Sequence, residues 1–159
     1  MEIEARIGVL LRKAGLTLAV AESCTGGYLG HLVTGIGRSL DYFAGGVIAY
    51  ANEAKHRLLE VPENDLAEYG AVSEPVARAM AESVRRKLNA DIGVAVTGIA
   101  GPGGGTAEKP VGLVFVAVAD VRECIVRRLQ LAGDRRTIKH LSSLTALEMI
   151  EDRLRAKED

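Results

Sequence analysis

Residues 17–28 read TLAVAESCTGGY. The first five form a short apolar run suited to a buried strand, and the stretch after them turns abruptly small and polar. Ser23, Cys24 and Thr25 stand in a row at this corner, three candidate nucleophiles followed at once by Gly26 and Gly27. The corner is either a reactive centre or a tight bend that needs only small residues. Beyond it, YLGHLVTGIG (28–37) reads as a helix of about three turns ended by Gly35 and Gly37. A buried strand that feeds a helix through a tight corner is the repeating unit of an α/β fold.

The same alternation runs outward in both directions. Ile3, Ile7, Leu10, Leu11 and Ala14 fall at helical spacing before Gly15. FAGGVIAY (43–50) predicts a second strand, with Asn52 as N-cap of a helix through NEAKHRLLE. After Pro62 the sequence predicts a connecting stretch, and then a helix capped by Ser73. Val76, Met80, Val84 and Leu88 share one of its faces. DIGVAVTG (91–98), GLVFVAVA (112–119) and CIVRRLQL (124–131) are three further strands. The last two are joined by so short a link, DVRE, that they must form an antiparallel hairpin. Asp134 caps a final helix with Ile138, Leu141, Leu144 and Leu147 facing inward. The pattern predicts one domain over residues 1–159, a three-layer α/β/α sandwich with a five-stranded mixed sheet.

Composition narrows the function. Hydrophobic residues make up 48% of the 159, as a packed globular chain requires. Lys and Arg number 20 against 21 Asp and Glu, so electrostatics gives no support for nucleic acid or an anionic membrane as partner. Two Phe, four Tyr and no Trp make a poor stacking platform for bases. No run approaches the roughly 20 apolar residues of a membrane span, and the N-terminus does not read as a signal peptide. Cys24 and Cys124 are too few for a disulfide scaffold or a four-thiolate zinc site. The expectation is a reduced, cytoplasmic protein that binds a small molecule. The low aromatic content suggests self-association into a homo-oligomer.

Three polar segments end predicted strands: AESCTGG, YANEAK and TGIAGPGGG. Ligands in open α/β folds gather beyond the carboxyl ends of strands, so parallel strands would open all three onto one crevice. The glycine-rich run fits neither a P-loop, because Gly104 stands where lysine is needed, nor a dinucleotide fingerprint, because Thr106 breaks it. It offers N–H groups to a phosphate or oxyanion, or it is simply a wide loop. Lys55 falls in the first turn of its helix, where the macrodipole favours the neutral amine. Burial would act the same way, and a neutral amine can serve as a base for a serine; the alternative is a solvated surface lysine. His31, His56 and His140 show no metal-ligand or triad spacing.

Taken together, AESCTGG (21–27), YANEAK (50–55), GAVSEPVA (70–77), TGIAGPGGGTAEKPVG (97–112) and GDR (133–135) resemble the CinA C-terminal domain family over essentially the whole chain. That resemblance implies a nicotinamide-nucleotide amidase, which hydrolyses nicotinamide mononucleotide to nicotinate mononucleotide and ammonia in pyridine nucleotide salvage. It implies a Ser–Lys pair of Ser23 as nucleophile and Lys55 as base, with Tyr50 and Thr97 around them and Arg135 on the substrate side. Thr25, Gly26 and Gly27 at the corner, and Gly101, Gly103 and Gly104 in the loop, are the expected substrate-binding residues. Neither metal nor cofactor is expected. Longer family members carry a further N-terminal domain with a nucleotide pyrophosphatase activity, which does not transfer to these residues; the Met1 start fits a stand-alone protein. Two rivals stay open: Cys24 as the nucleophile, and a non-catalytic module that senses a phosphate metabolite.

Overall fold

A computed structural model describes residues 1–158. In chain order the elements are α1 (Ile3–Ala14), β1 (Leu18–Glu22), α2 (Tyr28–Thr34), β2 (Phe43–Ile48), α3 (Asn52–Leu59), α4 (Glu63–Tyr69), α5 (Glu74–Lys87), β3 (Ile92–Gly98), β4 (Leu113–Ala119), β5 (Cys124–Gln130) and α6 (Arg135–Ala156). The five strands lie in the order β2-β1-β3-β4-β5. β1 pairs parallel with both β2 and β3, whereas β3–β4 and β4–β5 are antiparallel. The expected mixed sheet and hairpin are therefore present.

The two faces of the sheet differ in a way the strands spell out. Leu18 and Val20 of β1, Ile92, Val94 and Val96 of β3, and Val114, Val116 and Val118 of β4 point to one side. There they meet Ile7 and Leu11 of α1, Leu29 and Val33 of α2, and Ile138, Leu147 and Ile150 of α6. Ala19, Ala21, Ala95, Ala117 and Ala119 point to the other side, against Val76, Met80 and Val84 of α5. Small residues let α5 approach the sheet closely. At Gly93 the approach is so tight that a Cβ would stand 2.2 Å from the Ala81 carbonyl oxygen and 2.7 Å from the Arg85 Cβ.

Five local expectations are corrected. Asn52 is the first residue of α3 and not its cap: the chain turns one residue earlier, and the Ala51 carbonyl accepts the Lys55 N–H at 3.1 Å. The stretch after Pro62 is helical; Pro62 occupies the N-cap, Glu63 and Asp65 sit at the positive end of the dipole, and Gly70 at φ 76° ends the helix. α2 stops at Thr34 after two turns, and the chain continues into a short 3₁₀ turn at Ser39–Asp41. Ser73 does precede α5, but its hydroxyl donates back to the Gly70 carbonyl at 2.8 Å and not to the helix. On α6, Leu141 and Leu144 are only half-buried, and Ser142, Ser143 and Ala146 lie inside with Ile138 and Leu147. No helix among the described residues is long and apolar enough to cross a membrane.

Gly93→Ala is expected to cost about 3 kcal/mol or more, because backbone must move to admit the methyl group. Gly103→Ala, where nothing lies within 4 Å, is expected to cost little. Urea midpoints of the two variants check this directly.

Candidate active site

β1 lies between β2 and β3, so the strand order reverses there and a crevice opens beyond the carboxyl ends of β1 and β3. Ser23 is the first residue past β1. Its N–H donates to the Val96 carbonyl at 3.0 Å, which carries the β1–β3 seam one step beyond Glu22. At this point the chain turns. Gly26 and Gly27 have φ of 60° and 105°, conformations that glycine adopts without strain. The Gly26 N–H closes the turn on the Ser23 carbonyl at 3.1 Å. The N–H groups of Cys24, Thr25 and Gly27 have no acceptor among the described residues.

A cavity of about 170 Å³ lies over this turn, lined by Ser23, Lys55, Tyr50, Thr97 and Arg135, with Cys24 beside the serine. The five residues come from four segments that the sheet order brings together. A larger open hollow of about 760 Å³ lies between α3 and α4. It is lined by residues such as Glu53, His56 and Arg57 and holds none of these groups.

Lys55 is the least ordinary of them. Its side chain is 1% exposed, and Nζ donates to the Tyr50 carbonyl at 2.9 Å. Burial pushes the ammonium down from the usual lysine range. An amine that donates one proton to a carbonyl keeps its lone pair, so the neutral form can still accept a proton. Cys24 moves in the opposite sense. Burial pushes its thiol up to about 12, against its own backbone N–H and the nearby Lys55. The thiol stays protonated at neutral pH, which removes the thiolate that a cysteine nucleophile needs.

Arg135, the first residue of α6, ties the crevice together. Nη1 donates to the Gly101 carbonyl at 2.7 Å, and Nη2 donates to the Tyr50 hydroxyl at 2.9 Å. Thr97 is buried, and its hydroxyl proton is committed to the Ala71 carbonyl at 2.9 Å. Its role in this state is to hold the 70–73 turn, which forms a wall of the cavity, and not to donate to an oxyanion.

The remaining expected residues are placed differently. Thr25 is fully buried with its hydroxyl unpartnered, and Gly26 and Gly27 shape the turn from outside the cavity lining. Gly101 contributes its carbonyl to Arg135. Gly103 and Gly104 are exposed and do not line the cavity. Their segment reaches it through Thr97, Gly98 and Ala100.

Two residues escaped the sequence reading. Glu22, 2% exposed, accepts the N–H of Leu29 at 2.8 Å and of Gly30 at 3.0 Å, so a strand-end carboxylate caps α2 and fixes the turn between them. An acid directly before Ser23 was the available signal. Asn52, displaced from the cap position, lines the cavity instead.

Residues 1–154 match the CinA C-terminal domain. The chain belongs to the CinA C-terminal domain family. A CinA-like protein of Geobacter sulfurreducens is 49% identical over 152 residues, which cover 96% of this chain and 37% of that protein. A CinA-like protein of Syntrophus aciditrophicus is 50% identical over 155 residues, covering 97% and 37%. The chain thus spans well under half the length of these curated relatives. Among solved structures, the competence/damage inducible protein CihA of Agrobacterium tumefaciens superposes with a TM-score of 0.93 at 38% identity, covering 94% of this chain and 92% of that one. The competence damage-inducible protein A of Klebsiella pneumoniae gives 0.93 at 32% identity, covering 96% and 94%. The CinA fold expected from the sequence is therefore established.

Iodoacetamide at pH 8 is expected to leave Cys24 of the native protein unmodified and to label it once the chain is unfolded. Peptide mass spectrometry reads both states. Rapid native labelling of Cys24 would show a reactive thiolate and return the cysteine to candidacy.

Proposed function

We propose that this domain hydrolyses the carboxamide of nicotinamide mononucleotide, giving nicotinate mononucleotide and ammonia, with Ser23 as nucleophile and Lys55 as base. The observation that carries the reading is a buried lysine, its ammonium destabilised, lining one small cavity with an unencumbered serine at a strand-to-helix turn. A Ser–Lys pair is a known variant of the serine-hydrolase arrangement. The role in pyridine nucleotide salvage follows from the same family resemblance.

Water is the only co-substrate. The neutral Lys55 amine takes the Ser23 hydroxyl proton as Oγ bonds to the carboxamide carbon, and the carbonyl π pair moves to oxygen. The N–H groups of Cys24 and Thr25 are free to receive that oxyanion, each worth on the order of 3 kcal/mol in such a role. Collapse of the intermediate expels the amide nitrogen, which takes the proton from Lys55 and leaves as ammonia. Water, deprotonated by the regenerated amine, then hydrolyses the acyl-serine to the carboxylate and restores the serine. Tyr50 and Arg135 line the mouth and bind the remainder of the ligand.

Ammonia release from nicotinamide mononucleotide by the purified protein is the test. Ser23→Ala and Lys55→Ala are expected to lose at least about 1,000-fold in kcat, while Cys24→Ala retains most of it. Lys55→Arg keeps the charge but cannot lose its proton, so it is expected to be as inactive as Lys55→Ala. The limb of kcat/KM that rises with pH should fall below the ordinary lysine value of about 10.4. Saturable binding of the mononucleotide with no ammonia from the wild type would favour a sensing module; full activity in Ser23→Ala would remove the mechanism.

A further inference from the structure

A second cavity, of about 500 Å³, lies beside the nucleophile turn and takes part in none of the steps above. It is lined by Tyr28, Arg136, Thr137, Lys139 and His140. Its charge is unusual for its place in the fold. The first two turns of α6 carry Arg135, Arg136, Lys139 and His140, and after the cap Asp134 no acidic residue follows until Glu148. Cations at a helix N-terminus meet the positive end of the macrodipole and are disfavoured there. The same helix treats its other cations differently: Arg153 pairs with Asp120 and Glu123, and Arg155 with Glu151. Among the described residues, Arg136 and Lys139 form no ion pair. Asp134 is the one carboxylate among the described residues near these cations, and a cavity lined by Arg136 and Lys139 without ion-pair partners suits an anionic ligand.

The cluster is joined to the reaction centre by the turn. Lys139 Nζ stands 3.8 Å from the point that a Cβ on Gly26 would occupy, so the amine looks over bare backbone. Adjacent residues of α6 line the two cavities, Arg135 the first and Arg136 the second. The first cavity, about 170 Å³, is smaller than the roughly 300 Å³ at which pockets begin to enclose a whole ligand. It suits the reacting carboxamide end, and the rest of a nucleotide must lie outside it.

We propose that Lys139 and Arg136 bind the phosphate monoester of the nucleotide, so that the ligand straddles the 23–27 turn with its carboxamide at Ser23. This rests on the amidase reading for the identity of the ligand. It moves the phosphate away from Gly101, Gly103 and Gly104. Tyr28 and His140, hydrogen-bonded at 2.7 Å between the hydroxyl and Nδ1, form the far wall.

The test compares nicotinamide mononucleotide with nicotinamide riboside, which differs only in lacking the phosphate, using wild type, Lys139→Ala, Arg136→Ala and the double variant. Each single variant is expected to lower kcat/KM for the mononucleotide on the order of 10- to 100-fold. The loss should appear mainly in KM, and the preference for the mononucleotide over the riboside should collapse in the double variant. An unchanged preference in the double variant, with hydrolysis intact, overturns the phosphate site and leaves the amidase reading standing. If the wild type hydrolyses neither compound, the amidase reading fails, and calorimetric titration with nicotinate mononucleotide and its riboside decides the site by itself. Mononucleotide binding lost in the double variant supports it; equal binding in both proteins overturns it. Matching thermal melts establish that the variants are folded, and Lys139→Arg, which keeps the charge, is expected to recover most of the mononucleotide preference.

Discussion

The hydrogen bond from the Ser23 N–H to the Val96 carbonyl is the constraint from which the crevice hangs. It extends the parallel β1–β3 seam by one residue and then releases the chain, and the Cys24, Thr25 and Gly27 N–H groups find no acceptor among the described residues. The seam can sit where it does because α5 lies almost directly on its alanine and glycine face. That packing holds β3 in register with β1 and brings Thr97 level with the 23–27 turn. Glu22 completes the frame from the other side by capping α2, so both ends of the turn are anchored.

Within this frame the fold works against its own stability at Lys55. A buried amine in the first turn of a helix is disfavoured as a cation by desolvation and by the dipole alike. Because its folded value lies below its unfolded one, the penalty is fully present below the folded pKa and is relieved as pH climbs toward about 10.4. The Tyr50 carbonyl offsets part of the cost and orients the side chain. What remains is a buried amine whose charged form is disfavoured, as the proposed base requires. Cys24, in the same surroundings, is driven toward inertness, so one environment separates the roles of two neighbouring side chains.

Much of this was legible before any coordinates. All five strands fall where apolar runs place them: β1, β3 and β4 are buried on both faces, which leaves little choice of residue, and the edge strands β2 and β5 are exposed on one face. Ser23, Lys55, Tyr50, Thr97 and Arg135 do meet in one cavity. α4 was missed because ENDLAEY has one strong apolar residue in two turns and reads as a polar link. Asn52 was misplaced by one residue because a good capping side chain yields to a chain that turns sooner. The destination of the glycine-rich loop was not readable either: glycines reveal that backbone is exposed, not toward what. Glu22 was overlooked since its partners, seven and eight residues on, become neighbours only when the turn exists. The commitment of the Thr97 proton to Ala71 likewise depends on a long-range contact that no motif encodes.

The neutral lysine is the claim on which the chemistry turns, and titration of Lys55 tests it most directly. Lysine-labelled protein followed by carbon NMR at Cε, with the Lys55 resonance assigned by its loss in Lys55→Arg, gives the pKa without reference to any substrate. The account predicts a midpoint clearly below those of the exposed lysines, with Ser23→Ala leaving it low. A Lys55 that titrates with the exposed lysines, at about 10.4 or above, would contradict it.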